Sequence, residues 1–488
     1  MLDAEAMRPR FTPLSRRSFL QLLGAASAGI LVPGCGSSNG HKNDSLDRVI
    51  VIGAGMAGLT VANALTTAGV ETVVVEARDR IGGRTWTADI GDMRVDLGGS
   101  WIHGPDGNPV ACFAAANGIG WTLAESVDAT LSAYDPHNGF ISGQDLLRFL
   151  EVQTAFENEI ENLRASLGPN ASLSDGALLF LDQGGFSGDD RRYADFAIRQ
   201  GLGELFYAGP SALTSLDAFF RDQELGGGNH LPNGGYTGIV NAMAAGVDVR
   251  LNQHVARVAY NGSGVTVTTA TDVFRGSHAV VTVPLGVLKA ERIEFAPELS
   301  PEKRDAIARL DMGNLEKVVL RFERAFWRDA RRRSFVYLSD AYGEFPFFFD
   351  YTPYGGAPAL IGFYCGDFAR AAAARSDAEV RDRVLQIFVE AFGTAIPAPT
   401  HFARTRWTVD PLSGGSYSYI PVGGALTDMN VLAEPIGERL LFAGEATVPE
   451  FYGTVHAALI SGIREAKRLL QTDAVALSSG PAPEVGCV

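Results

Sequence analysis

"DRVIVIGAGMAGLTVANALTTAGVETVVVEARDRIGGR", residues 47–84, decides the fold. Arg48–Ile52 is an apolar, β-branched run, Leu59–Ala68 has helical spacing, and "ETVVVEA" from Glu71 reads as a second buried strand. Strand, glycine turn, helix and strand in that order predict a βαβ unit. Gly53, Gly55 and Gly58 form G-x-G-x-x-G between the first strand and the helix, with Met56 and Ala57 leading into it. In such a turn the first glycine permits the tight bend, the second lets a pyrophosphate approach the backbone, and the third lets helix pack on strand. The phosphates then meet the positive end of the helix. Glu76 ends the second strand, where a carboxylate accepts hydrogen bonds from a ribose. The unit predicts dinucleotide binding.

The remaining composition bounds the partners. The chain has 488 residues, 46% hydrophobic and 20% charged, which suits two domains with a large core. Its formal charge of −15 disfavours nucleic acid and favours a cationic partner through long-range steering. At the N-terminus, "SRRSFL" (Ser15–Leu20) precedes the apolar run "QLLGAASAGILV" and then "PGCGSSNG". This resembles a bacterial twin-arginine export signal, so residues 1–35 are read as a signal and 36–45 as a polar linker. The apolar run is too short for a spanning helix, and the expected destination is the periplasm or cell envelope. "LVPGC" loosely resembles a lipoprotein box with Pro33 at the small-residue position, which leaves open a lipid anchor at Cys35. Cys35, Cys112, Cys365 and Cys487 are far apart, so no disulfide framework is required. They show no metal-ligand spacing, and no metal is expected.

Farther along, residues 144–208 read as mainly helical. Residues 249–284 read as short strands with an "NGSG" hairpin turn. Ser300 and Pro301 open a helix, "LEKVVLRFE" is a strand, and "RSDAEVRDRVLQIFVEAF" is an amphipathic helix. The tail, 473–488, is expected to be loose.

Two further stretches narrow the dinucleotide. "EARDRIGGRTWT" adds Gly82–Gly83 and Arg84 after the second strand, and "RLLFAGEATVPEFYGTVHAALISGIREAKRL" closes the chain at 439–469. Together with the opening unit they resemble the FAD-dependent amine oxidase family, polyamine and spermine oxidases included, from about Asp47 to about Leu470. The resemblance implies an α/β fold with a Rossmann-like FAD-binding domain from 46–115, 236–297 and 405–472. A discontinuous mixed α+β substrate domain would come from 116–235 and 298–404, with the active site at the junction. Beside the glycines already named, it assigns the adenosine end to Glu76, Ala77, Arg78 and Val255. It places Gly83, Arg84, Gly99, Ser100, Trp101, Trp407, Gly444, Glu445, Thr454 and Val455 along the rest of the cofactor. Ser416 stands where monoamine oxidases carry a flavin-linking cysteine, so FAD is expected to be noncovalent.

The same resemblance implies the chemistry: hydride removal from the carbon beside a neutral amine, imine hydrolysis, and reoxidation by dioxygen to hydrogen peroxide. Lys317, in "MGNLEKVVLRF", matches the lysine that holds a water against the reactive flavin nitrogen. Tyr417, in "GGSYSYIP", and Phe451, in "EFYG", fall on the two walls of an aromatic sandwich, with Tyr452 the alternative second wall. His103, in "GGSWIHG", matches a histidine that positions a secondary amine. A polyamine such as spermine, spermidine or an acetylated form is therefore the expected substrate, without nucleic acid. An L-amino-acid or monoamine oxidase of the same fold, and a nonredox flavoprotein acting as a binding or assembly partner, are the competing readings. Glu204 and Glu224 are both available for a distal ammonium, and the spacing selects neither.

Overall fold

The computed structural model describes residues 46–124, 132–141, 143–329, 333–483 and 486–487. The expected export signal, the linker and Cys35 lie outside these residues.

Arg48–Ile52 is the middle strand of a five-stranded parallel sheet. On one side it pairs with Glu71–Val75, which pairs in turn with Asp248–Arg250. On the other it pairs with His278–Val281, and that strand with Leu440–Phe442. Val49, Val51, Val74 and Val280 are wholly buried, as strands covered on both faces must be. The helices Met56–Thr67 and Val455–Leu470 cover one face, burying Leu59, Leu65, Leu459 and Ala466 against the sheet. Strand order reverses between the strands Arg48–Ile52 and His278–Val281, so a crevice opens at their carboxyl ends.

A seven-stranded sheet forms the second layer. Leu315–Arg321 runs antiparallel between Ala359–Cys365 and His401–Arg404, its central residues buried. The aromatic core behind it includes Phe322, Trp327, Phe335, Phe348 and Phe388. Gly143–Leu167, Leu173–Gln183 and Gly188–Asp195 are α-helices, and the third runs directly into a π-helix, Phe196–Glu204. In a separate three-stranded sheet, Asn229–Pro232 pairs with Ile102–His103 on one side and Trp121–Leu123 on the other.

The local signals act as their chemistry requires. The Ser300 hydroxyl accepts from the Lys303 amide with Pro301 in the first turn, and Ser376 forms a capping box with Glu379 at the start of Asp377–Phe392. Asn261 pairs with Gly264 across the "NGSG" turn.

Two readings of the sequence need correction. The described residues of the tail are not loose: Ala476–Leu477 pairs with Gly480–Pro481, and the Leu477 side chain packs against the first helix. Cys487 forms a disulfide with Cys112 across 375 positions, and the Gly486 amide donates to the Gly107 carbonyl at 2.8 Å. Apolar burial of Val475 and Leu477 offsets the ordering that an Ala/Ser/Pro-rich composition disfavours. Among the described residues, no helix is long and apolar enough to cross a membrane.

Candidate active site

The nucleotide end is built from backbone groups. A Cβ on Gly58 would stand 2.0 Å from the Gly53 carbonyl oxygen, whereas one on Gly55 would meet nothing within 4 Å. The turn is therefore closed on the helix side and open on the other. The helix Met56–Thr67 has no side-chain cap at Gly55, so its first amides are free of a capping oxygen and suit a phosphate. Gly82 lies against this turn, its amide donating to the Ala54 carbonyl at 2.8 Å. Glu76 is buried, and its two oxygens accept from the amides of Ala54 (2.7 Å) and Arg78 (2.8 Å). Each oxygen keeps a lone pair for a ribose hydroxyl. The Gln253 amide donates to the Glu76 carbonyl, which brings the segment leading to Val255 alongside. Arg78 pairs with Asp410 at 2.7 Å.

At the carboxyl ends of the two strands His278–Val281 and Leu440–Phe442 lies a small pocket with Arg84, Gly444 and Glu445 in its lining. Arg84 pairs with Glu445 at 2.9 Å and donates to the Ser416 carbonyl at 3.1 Å. Glu445 also accepts from the Ser418 hydroxyl and the Gly453 amide, tying the segment 416–418 to the closing helix. Thr454 caps that helix, its hydroxyl accepting from the Ala457 amide. An open glycine turn, an uncapped helix start and an acid at the second strand are the donor and acceptor set a dinucleotide needs, so these residues fit FAD.

The second half of the site gathers around residues 96–103. Lys317 enters from the strand Leu315–Arg321 and is 5% exposed. Its Nζ donates to the Gly98 carbonyl (2.6 Å), the Asp96 carbonyl (3.0 Å) and the Ser100 hydroxyl (2.5 Å). The rings of Trp101 and Phe363 lie 5.3 and 5.9 Å from it. Burial pushes the Lys317 ammonium down to about 8, against a smaller raising effect of Asp96. The Trp407 indole donates to the Leu97 carbonyl at 3.1 Å, and a Cβ on Gly99 would touch Val455 at 2.9 Å. One loop thus meets Lys317, Trp407 and the closing helix together.

His103 sits beside Trp101, ring centroids 6.4 Å apart. The residue is exposed, and desolvation lowers its pKa against the raising hydrogen bond to Asn229. Nδ1 lies 2.7 Å from the Asn229 Oδ1, directly opposite in the strand register. His456, whose titration His103 perturbs, is buried and held down to about 3 by desolvation. The Phe451 ring packs edge-on against His456 at 5.1 Å. Tyr452 instead turns into the core toward Tyr207. The Tyr417 hydroxyl donates to the Phe206 carbonyl at 2.7 Å, and a Cβ on Gly453 would approach its ring to 3.1 Å. Phe451 and the Tyr417 ring thus lie on either side of the short segment that ends at Gly453.

The Ser100 side chain is buried and directed at Lys317. Glu204 is buried at the end of the π-helix, raised to about 6 by desolvation, and Glu224 is exposed. Sequence reasoning overlooked Asp96, Asn229 and His456. The "MRVDLGG" aspartate at a strand end and the histidine in "GTVHAA" were visible signals. Asn229 gave none, since its role exists only through strand pairing.

A family model described as flavin containing amine oxidoreductase matches residues 56–470, and one described as pyridine nucleotide-disulphide oxidoreductase matches residues 15–96. Among curated proteins, lysine-specific histone demethylase 1 homolog 1 of Oryza sativa subsp. japonica is 34% identical over 87% of this chain and 52% of its own length. Lysine-specific histone demethylase 1 homolog 2 of Arabidopsis thaliana is 33% identical over 86% of this chain and 58% of its own. The chain thus spans little more than half the length of these relatives. Probable polyamine oxidase 4 of Arabidopsis thaliana is 32% identical over 86% of both chains. A solved putrescine oxidase redesigned in its cofactor binding shares the fold with a TM-score of 0.73, at 22% identity, over 87% of this chain and 99% of that one.

Proposed function

Because this chain belongs to the flavin-containing amine oxidoreductase family, we propose that it is an FAD-dependent oxidase of amines acting on a polyamine or similar alkylamine. The observation that carries the reading is the buried Lys317, bound to one loop whose next residues place Trp101 and His103 at the cleft. Bound FAD would supply the two-electron acceptor for hydride removal from the carbon beside the amine. The side chains prepare that step. A neutral His103 that donates from Nδ1 to Asn229 presents Nε2 as an acceptor for a substrate N–H. Tyr417 and Phe451 confine the alkyl chain by apolar contact. Lys317, poised near pH 8, takes up or holds a proton at the site. Imine hydrolysis by water completes the product, and dioxygen, accepting the two electrons and two protons removed from the amine, leaves as hydrogen peroxide.

The test is peroxide release from the purified protein with spermine, spermidine, N-acetylated polyamines, monoamines and L-amino acids. Release with the polyamines and not with amino acids is expected. Peroxide from none of them overturns the substrate class. Product masses from spermine and acetylspermine then identify which C–N bond breaks.

Export through the twin-arginine route is part of the proposal. The Cys112–Cys487 disulfide supports it, since such bonds persist in oxidising compartments. N-terminal sequencing of the protein from envelope and cytoplasmic fractions tests it. A chain that keeps Met1 and stays in the cytoplasm refutes it.

A further inference from the structure

We propose that Ser100 is a positioning residue that lets Lys317 change charge without leaving a buried polar group unpaired. An ammonium offers three donors and no acceptor, while a neutral amine offers two donors and one acceptor. Lys317 Nζ has three oxygen neighbours, from the last residue of strand Met93–Asp96 and the loop that follows it. The Asp96 and Gly98 carbonyls can only accept. The Ser100 hydroxyl alone can both accept and donate.

Charged Lys317 therefore fills all three acceptors. The Ser100 proton then turns to the Asp96 or Gly98 carbonyl, 3.1 and 3.2 Å from its oxygen. When Nζ gives its proton to water, two N–H groups stay on the carbonyls. The hydroxyl swings round and donates to the nitrogen lone pair. The cavity lined by Asp96, Ser100, Trp101, Lys317 and Tyr351 has room for a water-sized molecule to take that proton. Both charge states are thus satisfied at a place where Lys317 and Ser100 are 5% and 6% exposed.

The surroundings leave the hydroxyl this role. The charged group facing Lys317 is Asp96, whose carboxylate is occupied by the Thr87 hydroxyl and the Tyr236 amide and sits near Arg94. Tyr351, the other titratable group lining the cavity, donates to the Arg94 carbonyl. The Trp101 ring comes from the same loop and the Phe363 ring from the strand Ala359–Cys365.

In Ser100→Ala the ammonium loses one acceptor and the amine loses one donor. Hydrogen bonds to the charged form are about twice as strong, so the charged form loses more. The proton affinity of Lys317 should fall about tenfold, a midpoint about one pH unit lower.

The experiment is a titration of the FAD-loaded protein carrying 13C-labelled lysine. Its lysines are Lys42, Lys289, Lys303, Lys317 and Lys467, and Lys317→Met assigns the signal. A lower midpoint in Ser100→Ala, restored by Ser100→Thr, is expected. Should the alanine variant not fold, Ser100→Cys, with its weak donor and acceptor, gives the same comparison against Thr. A midpoint unmoved on removing the hydroxyl, or moved equally by Ser100→Thr, overturns the proposal. The inference rests on the amine oxidase reading only for its consequence, a parallel shift in the pH profile of turnover. A shifted lysine midpoint with unshifted turnover refutes that functional role of Lys317 and leaves the pairing with Ser100 standing.

Discussion

Lys317 is the side chain whose removal separates binding from chemistry most cleanly. It touches the loop 96–100 and two aromatic rings, while the residues that fit a dinucleotide are Gly53–Gly58, Glu76 and the segment before Val255. Lys317→Met keeps the length and apolar stem, so FAD content should stay near one per chain while turnover falls about a hundredfold, the scale of one acid–base group. The pH dependence has a definite sign. The native Lys317 lies near 8, below the ordinary 10.5, so the unfolded chain binds more protons between those values. Its effect on stability is then unfavourable below about pH 8 and is relieved as pH rises toward 10.5. A limb of the turnover profile that rises through about pH 8 is expected in the wild type and absent in Lys317→Met. A limb that persists in the variant assigns it to another group, such as the substrate amine.

Two elements beyond Lys317 each carry a measurable cost. Asn108 caps the helix Pro109–Ala116 through its Oδ1, which accepts from the Val110 amide at 2.9 Å, and its Nδ2 donates to the His103 carbonyl. Asn108→Ala should lose about 1–2 kcal/mol in denaturant unfolding, and raise KM for a polyamine with little change in kcat. The π-helix Phe196–Glu204 ends on a carboxylate held at about 6 by burial, against 4.5 ordinarily. The native state binds the extra proton, so this stability is fully present below about pH 4.5 and lost as pH rises through 6. About 2 kcal/mol is involved. In Glu204→Gln the unfolding free energy should be flatter from pH 4.5 to 7 than in the wild type, and an unchanged slope would assign it elsewhere. The elements themselves were legible, because the Ser300 and Ser376 caps and the "NGSG" turn act within a few residues. The π-helix was not, since it differs from an α-helix in backbone bonding rather than in apolar spacing. Nor were the pairs that matter most in the cleft. Asn229 meets His103 across 126 positions and the Asp96 carbonyl meets Lys317 across 221, and the period of a single element carries no record of such partners.

For the whole molecule, the glycine motifs at the two ends of the chain made the dinucleotide fold readable, because they meet in one sheet and its crossover helices. The tail was misread, because composition describes a free segment and not one tied to Cys112. Charge is the property that acts on the same scale. The chain carries 41 basic and 56 acidic side chains, net −15. Residues 1–35 hold Arg8, Arg10, Arg16 and Arg17 against Asp3 and Glu5, or +2, so the chain without them carries −15 − 2 = −17. A field of that sign gathers polycations around the molecule before any contact forms, and it reaches about 30 Å at 0.01 M salt but about 10 Å at 0.1 M. If steering helps deliver a polyamine, kcat/KM for spermine should fall severalfold across that range. For a monoamine of single charge the fall should be much smaller. kcat should hold for both, since the bound complex no longer depends on the distant field. Stopped-flow or peroxide-coupled rates at the two ionic strengths decide it. Equal salt dependence for the two substrates would mean that the acidic surface serves solubility alone, with recognition confined to the cleft around His103 and Lys317.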